Sequence, residues 1–330
     1  MNKKWPTLVV ATFSLVIGLT ALAESKAGKA FLAHVLTPKS TVQKPLARTQ
    51  TEDQPVSPDK PPVHLKNPPS GPVSEPLPWT AKNKLEALKR KYNTPIMVAA
   101  YRASLPEPIL AERYNIGLAA NLLAGTVVYP GEVFSQNRCI GPYTAERGFK
   151  EGPMYAGSHI ITSVGGGVCK IASLLYNVVI LANLTVVERH PHSMTVPYVP
   201  PGQDATVAYG VYDFRFRNTG DGPILIWAEM IGDTLYMAFY GQKRPPPVKW
   251  HHETLRRVKF WTEYRYNYSL PPGAEKVILP GQEGVVVHTW LTVEVAKDKV
   301  IRRDLGVDQY EPCPRVIERG PPKKAARTRE

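Results

Sequence analysis

Proline placement constrains this chain more than any other feature. Proline lacks a backbone N–H and has a locked φ, so helices and sheet interiors must lie between its dense runs. The 330 residues include 33 prolines against 24 glycines, unevenly placed. From Thr37 to Pro78 they recur in segments such as Pro55-Val56-Ser57-Pro58, Pro61-Pro62 and Pro68-Pro69-Ser70-Gly71-Pro72, with few apolar residues. Such a stretch favours an extended polyproline spacer that, at ~3 Å per residue, could hold a domain ~100 Å from its attachment. Pro245-Pro246-Pro247 marks a second break. The foldable parts lie between and beyond these runs, and an apolar fraction of 43% is enough to give them cores.

The N-terminus carries an address. Lys3 and Lys4 precede an apolar stretch from Leu8 to Ala23, and Ala21-Leu22-Ala23 has the small-x-small form of a cleavage site. Residues 1–23 read as a signal peptide, or as a single-pass membrane anchor beginning at Trp5. Either places the rest of the chain outside the cytoplasm, in the cell envelope, anchored or secreted. Lys+Arg exceed Asp+Glu by 41 − 28 = 13, which calls for an anionic partner. Export argues against nucleic acid and for lipid head groups or wall polymer. Three cysteines exclude a disulfide-rich scaffold and an iron–sulfur protein with several clusters.

The layout that follows is 1–23 as signal or anchor, 24–78 as linker and 79–112 as a lead-in helix and connector. A first domain covers 113–244, a small β-module covers 248–320, and 321–330 is a basic disordered tail. Periodicity predicts helices over Ala81–Tyr92 and Ala111–Ala124, the latter stopped by Gly125. Gly141–Gly157 reads as loop. Alternating or β-branched runs predict strands over Thr195–Val199, Ala205–Tyr209, Asp213–Arg217, Ile224–Glu229 and Thr234–Tyr240. The fold class is α+β, a helical segment with an antiparallel sheet. In the β-module, strands are expected over Thr254–Tyr264, Val277–Leu279, Val285–Val295 and Val300–Leu305.

One segment carries most of the chemistry. Val168, Ile171, Leu174, Leu175, Val178, Val179 and Ala182 fall on one helical face, directly after Gly165-Gly166-Gly167. Cys169 therefore sits in the first turn, where unpaired N–H groups and the macrodipole favour a thiolate. Gly166 and Gly167 could bring backbone N–H groups to a substrate oxygen, and Lys170 adds positive charge nearby. A small buried cysteine that merely closes the helix start is the competing reading.

Twenty residues on, Glu188-Arg189-His190-Pro191-His192-Ser193 offers two histidines, either of which could act as a general base for the thiol. With Cys169 they could instead supply three zinc ligands, although no second cysteine pair or fixed-spacing helix motif accompanies them.

These motifs occur together and in order. Arg113-Tyr114-Asn115-Ile116, Tyr129-Pro130-Gly131-Glu132-Val133-Phe134-Ser135-Gln136-Asn137, Gly165-Gly166-Gly167-Val168-Cys169, Leu175-Tyr176-Asn177, His192-Ser193 and Tyr198-Val199-Pro200-Pro201-Gly202-Gln203-Asp204-Ala205-Thr206-Val207 resemble the VanW domain, from about Arg113 to Gly241. Residues Trp250–Gly320, with Leu270-Pro271-Pro272-Gly273 and Pro280-Gly281-Gln282-Glu283-Gly284, resemble the G5 domain, an extended β-module.

The resemblance implies a cysteine-dependent L,D-transpeptidase acting on peptidoglycan stem peptides, with wall polymers as further partners and no metal or cofactor. It implies Cys169 as nucleophile and His192 as base, with orienting or carboxylate-binding roles for Arg189 and Asp204. Lys170 stands where the family usually has glutamine, and Ala172 where serine or threonine is frequent. Two other readings compete: a non-catalytic wall-binding protein, and a zinc amidase using Cys169, His190 and His192.

Overall fold

The computed structural model describes residues 69–105, 108–156 and 159–322. The proposed signal or anchor, most of the linker and nearly all of the basic tail lie outside them. No helix among the described residues is long and apolar enough to cross a membrane.

The first domain is built on a five-stranded antiparallel sheet. Its strands are β1 (Gly71–Pro72), β2 (Ile96–Ser104), β3 (Val127–Val128), β9 (Ile224–Ile231) and β10 (Thr234–Gly241), in the order β1-β2-β10-β9-β3. Side chains alternate across a strand, so a sheet covered on both faces needs continuous apolar runs. Strand β10 is such a run. Leu235, Met237 and Phe239 enter the main core, whereas Tyr236, Ala238 and Tyr240 enter a smaller cluster on the opposite face.

That smaller cluster is closed by α1 (Lys82–Tyr92), whose buried residue is Leu85, together with Val73, Leu77 and Trp79. Residues 71–78, assigned above to the linker, are therefore docked on the domain. The Glu229 carboxylate accepts from Thr80 N–H at 2.8 Å and Ala81 N–H at 3.3 Å, anchoring the start of α1. The expected connector of 79–112 contains β2, an inner strand of the sheet.

The main core lies between the sheet's other face and helices α2 (Leu110–Leu123) and α4 (Cys169–Leu181). Between them come β4 (Val133–Ser135), α3 (Gln136–Ile140) and the hairpin of β5 (Glu151–Ala156) and β6 (His159–Val164). The stretch expected as loop thus yields a strand from Glu151. Strands β4, β8 (Arg215–Arg217) and β7 (Thr185–Glu188) make a small separate sheet.

Two expected strands are absent. Thr195–Val199 is irregular, and Ala205–Tyr209 holds only a bridge from Ala208 to Tyr212. Their apolar residues are buried by packing around α4 rather than by ladder hydrogen bonds, which periodicity cannot distinguish.

The β-module comprises β11 (Val248–Val258), β12 (Thr262–Tyr266), β13 (Glu275–Gln282), β14 (Gly284–Ala296), β15 (Lys299–Tyr310) and β16 (Cys313–Arg319). The single strand expected over Thr254–Tyr264 is two, β11 and β12, which belong to different three-stranded sheets. One of these, β12-β16-β13, pairs β12 with β16 in parallel. The module shares the first domain's core: Leu291 is fully buried within it, and Trp250 meets Tyr176 of α4 edge-on at 5.6 Å.

Candidate active site

Helix α4 is buried nearly all round, from Lys170 to Ile180, so its few polar side chains must be satisfied inside the protein. Cys169, Ser173 and Asn177 recur every four residues and share one face. That face docks residues 203–207 rung by rung. Asn177 Nδ2 donates to the Gln203 carbonyl at 2.8 Å, and the Ser173 hydroxyl accepts from Ala205 N–H at 2.9 Å. Cys169 Sγ lies 3.3 Å from Thr206 Oγ1. The irregular segment carrying Asp204 is thereby stitched to the thiol-bearing helix.

Asp204 is fully buried and all its acceptor positions are used. Oδ2 accepts from the His192 backbone N–H at 2.7 Å and from His192 Nδ1 at 2.6 Å. Oδ1 accepts from Arg189 Nη2 at 3.1 Å and from the Tyr310 hydroxyl. With Nδ1 held, the imidazole meets the thiol through its other nitrogen. His192 is positioned by Asp204, not by the strand expected after it.

The electrostatics follow from this chain of contacts. Burial raises the Cys169 pKa, but a hydrogen bond and positive charge from His192, with contacts from Thr206 and Val207, outweigh it and bring the thiol down to about 7. Burial lowers the His192 pKa, but Asp204 and Cys169 carry it up to about 9. Burial alone would raise Asp204, yet His192, Arg189 and Tyr310 hold it below the usual carboxylate range. Between the first two values, thiolate and imidazolium coexist as a pair.

The thiol opens on a cleft of about 880 Å³, lined by Tyr143, Met154, Gly166, His192, Tyr198 and Tyr209 among others. At its floor the glycine run is shaped by close packing. A Cβ on Gly166 would lie 2.2 Å from the Gly152 backbone, and Gly167 has φ +103°, which an L side chain rarely adopts. The N–H groups of Gly166, Val168 and Lys170 are spent on the carbonyls of Ser163, Gly165 and Gly167. Those of Gly167 and Cys169 meet no acceptor among the described residues, so they are the donors left for a substrate oxygen.

Residues 111–240 match the family described as VanW like protein, and residues 251–322 match the G5 domain. The chain carries a VanW-like domain followed by a G5 domain. It is 42% identical over 127 residues to the Uncharacterized protein YoaR of Bacillus subtilis (strain 168), covering 38% of this chain and 42% of that protein. It is 30% identical over 137 residues to the Vancomycin B-type resistance protein VanW of Enterococcus faecalis (strain ATCC 700802 / V583), covering 40% of this chain and 50% of that protein. The chain thus spans half or less of the length of these relatives. Among solved structures, the IgA1 protease G5 domain is 27% identical with a TM-score of 0.17, covering 25% of this chain and all of that one. HP0197-G5 is 23% identical with a TM-score of 0.14, covering 22% of this chain and 97% of that one.

The VanW-like domain brings Gly166, Gly167, Cys169, Lys170, His190 and His192 to the cleft wall, with Arg189 and Asp204 behind His192. Lys170 is not a free cation. It is buried, paired with Glu112 of α2 and set over the Tyr198 ring at 4.8 Å. His190 is engaged with other residues, its Nε2 3.2 Å from Glu188 and its ring against Tyr212 at 4.5 Å. Among the described residues no three His, Cys, Asp or Glu side chains gather in a way that could hold a metal. Burial raises the pKa of the Cys139 and Cys313 thiols.

Sequence reading assigned no role to Thr206, Glu112, Asp308 or Tyr310. The Cys169-Ser173-Asn177 spacing was a signal for the first of these, because polar residues four apart on an otherwise apolar helix require partners. Nothing local points to the other three, which lie 57 to 141 positions from Cys169.

Proposed function

We propose that this chain is an exported cell-wall protein whose VanW-like domain is a cysteine acyltransferase of the L,D-transpeptidase type. One observation carries the reading: the Cys169–His192–Asp204 relay, with its depressed thiol, at the floor of an open cleft. The Cys169 thiolate attacks the amide between the third and fourth residues of a stem peptide. The developing oxyanion is met by the N–H groups of Gly167 and Cys169. Imidazolium His192 gives its proton to the departing amine of D-alanine, leaving a thioester on Cys169. Neutral His192 then takes a proton from the amine of a neighbouring stem as that amine attacks, and thiolate and imidazolium are restored with a 3–3 cross-link formed. Asp204 holds the ring in the tautomer both steps need. The net basic charge suits a carboxylate-rich wall.

The test is mass spectrometry after incubating the protein with a disaccharide-tetrapeptide. Release of D-alanine with formation of a cross-linked dimer, both lost in Cys169→Ala, is the expected result. D-alanine release alone would make the protein a carboxypeptidase. Wall binding without catalysis is favoured by a separate observation: Tyr264, Tyr266 and Tyr268 of the G5 domain are exposed, and the last two rings stack at 6.5 Å. If Cys169→Ala keeps full wall affinity while wild type turns over no tetrapeptide, that reading replaces the first.

A further inference from the structure

Strand β15 of the G5 domain places two side chains two residues apart against the relay. Asp308 accepts both of its bonds from Arg189 Nη1, at 2.7 Å each. The buried Tyr310 hydroxyl accepts from Gly202 N–H at 2.8 Å and donates to Asp204. Beside them Glu311 N–H donates to the carbonyl of Ser193, the residue after His192, at 2.6 Å.

The charges around Asp204 need this arrangement. Arg189 reaches it twice, from Nε to its carbonyl at 2.8 Å and from Nη2 to Oδ1 at 3.1 Å, while packing on the Tyr176 ring. His192 approaches from the other side, facing Cys169. Without Asp308, a guanidinium and an imidazolium would compete for one buried carboxylate, and each would disfavour the other.

We propose that the G5 domain is a working part of the thiol site: Asp308 compensates Arg189 so that the charge of Asp204 serves His192, and Tyr310 fixes the carboxylate's orientation. Asp308 and Tyr310 are positioning residues, since neither touches the thiol. The purpose assigned to them rests on the acyl-transfer reading, but the observable is the thiol itself.

The experiment measures the rate of Cys169 alkylation by iodoacetamide against pH on the full chain. Wild type should show inflections at about 7 and about 9, for formation and loss of the ion pair. Asp308→Asn leaves Arg189 uncompensated and should lower the upper inflection by about half a unit or more. Asp308→Glu keeps the charge and should restore it. Tyr310→Phe removes a donor from Asp204 without changing charge, so its upper inflection should not fall. A module that only lends stability would change melting and leave both inflections in place. Unmoved inflections in Asp308→Asn would overturn the proposal. So would an equal shift in Asp308→Glu, or a fall in Tyr310→Phe, which also serves if Asp308→Asn does not fold. Wild-type protein with both inflections but no turnover of tetrapeptide would sink the acyl-transfer reading and leave this one standing.

Discussion

Asp204→Asn tests the relay at its centre. Asp204 accepts four hydrogen bonds, two on each oxygen. Asparagine has one oxygen, so whichever way it is turned its amide N–H₂ faces either the two His192 donors or Arg189 and Tyr310. One buried donor that cannot accept, the His192 backbone N–H or the Arg189 guanidinium, is left unpaired, at a cost of about 1–3 kcal/mol. The effect on the thiol is larger. At pH 7 a thiol with a pKa of about 7 is half ionised. If His192 is no longer held as imidazolium, the thiol returns to ~9 or above, leaving roughly 1% ionised and about fifty-fold less thiolate. Loss of the correct tautomer adds to this, so acyl transfer should fall by ~10²–10⁴-fold. Alkylation of Cys169 at pH 7 and at pH 9.5, with thermal melting as a control for the fold, separates the two effects. The variant should be slow at pH 7 and recover much of its rate at pH 9.5. A variant that alkylates at the wild-type rate at pH 7, with an unmoved midpoint, would refute the claim that Asp204 acts through His192.

The two histidines should separate in the same assays. His192→Ala should reduce acylation by ~10²–10⁴-fold, whereas His190→Ala, which loses only its contacts with Glu188 and Tyr212, should cost far less; equal losses would contradict the placement described above. Lys170→Gln breaks a nearly buried pair with Glu112 and should destabilise the fold by about 2 kcal/mol, read as a lowered melting temperature, with the additional change Glu112→Gln recovering part of it. The pH dependence of stability carries a sign of its own. His192, raised to about 9, contributes stability that is complete below its unfolded value and lost as pH rises through 9; Cys169, lowered to about 7, contributes stability lost as pH falls through 7. Between them the folded pair and the unfolded chain each hold one proton, so the pair adds no slope. In Cys169→Ala the histidine contribution stands alone and only Asp204 still raises it, so chemical denaturation should show stability falling with pH, by up to about 1.4 kcal/mol per pH unit, from pH 7 to a folded histidine value below that of wild type, over a range where wild type stays flat. Parallel curves would mean that Asp204 alone does not raise His192.

Much of the site was legible because local rules determine it. Three glycines before an apolar 3.6-residue period can only start a helix, and a cysteine in its first turn meets unpaired N–H groups wherever that helix is placed. Strands β9 and β10 were readable for the same reason, since an unbroken apolar run bounded by turns has few other homes. The inner strand β2 was missed: Ile96–Ser104 carries three alanines and Arg102 with no regular alternation, and its pairing with β10 and β1 makes it a strand. The expected strands at Thr195–Val199 and Ala205–Tyr209 failed in the opposite sense. Their apolar residues are spent on packing around α4; the backbone of 203–206 bonds to Ser173, Asn177 and His190, and the Thr195 carbonyl to Gln282, rather than to a ladder. Sequence spacing could name Cys169, His190 and His192 as candidates, but not the charge state of the pair that forms. That depends on Asp204 lying 2.6 Å from an imidazole, on Lys170 being neutralised by a glutamate 58 positions away, and on Asp308 and Tyr310 arriving from another domain. Coulomb energy depends on distance in space and on the water excluded between charges, and both are set only when the two domains close over a common core.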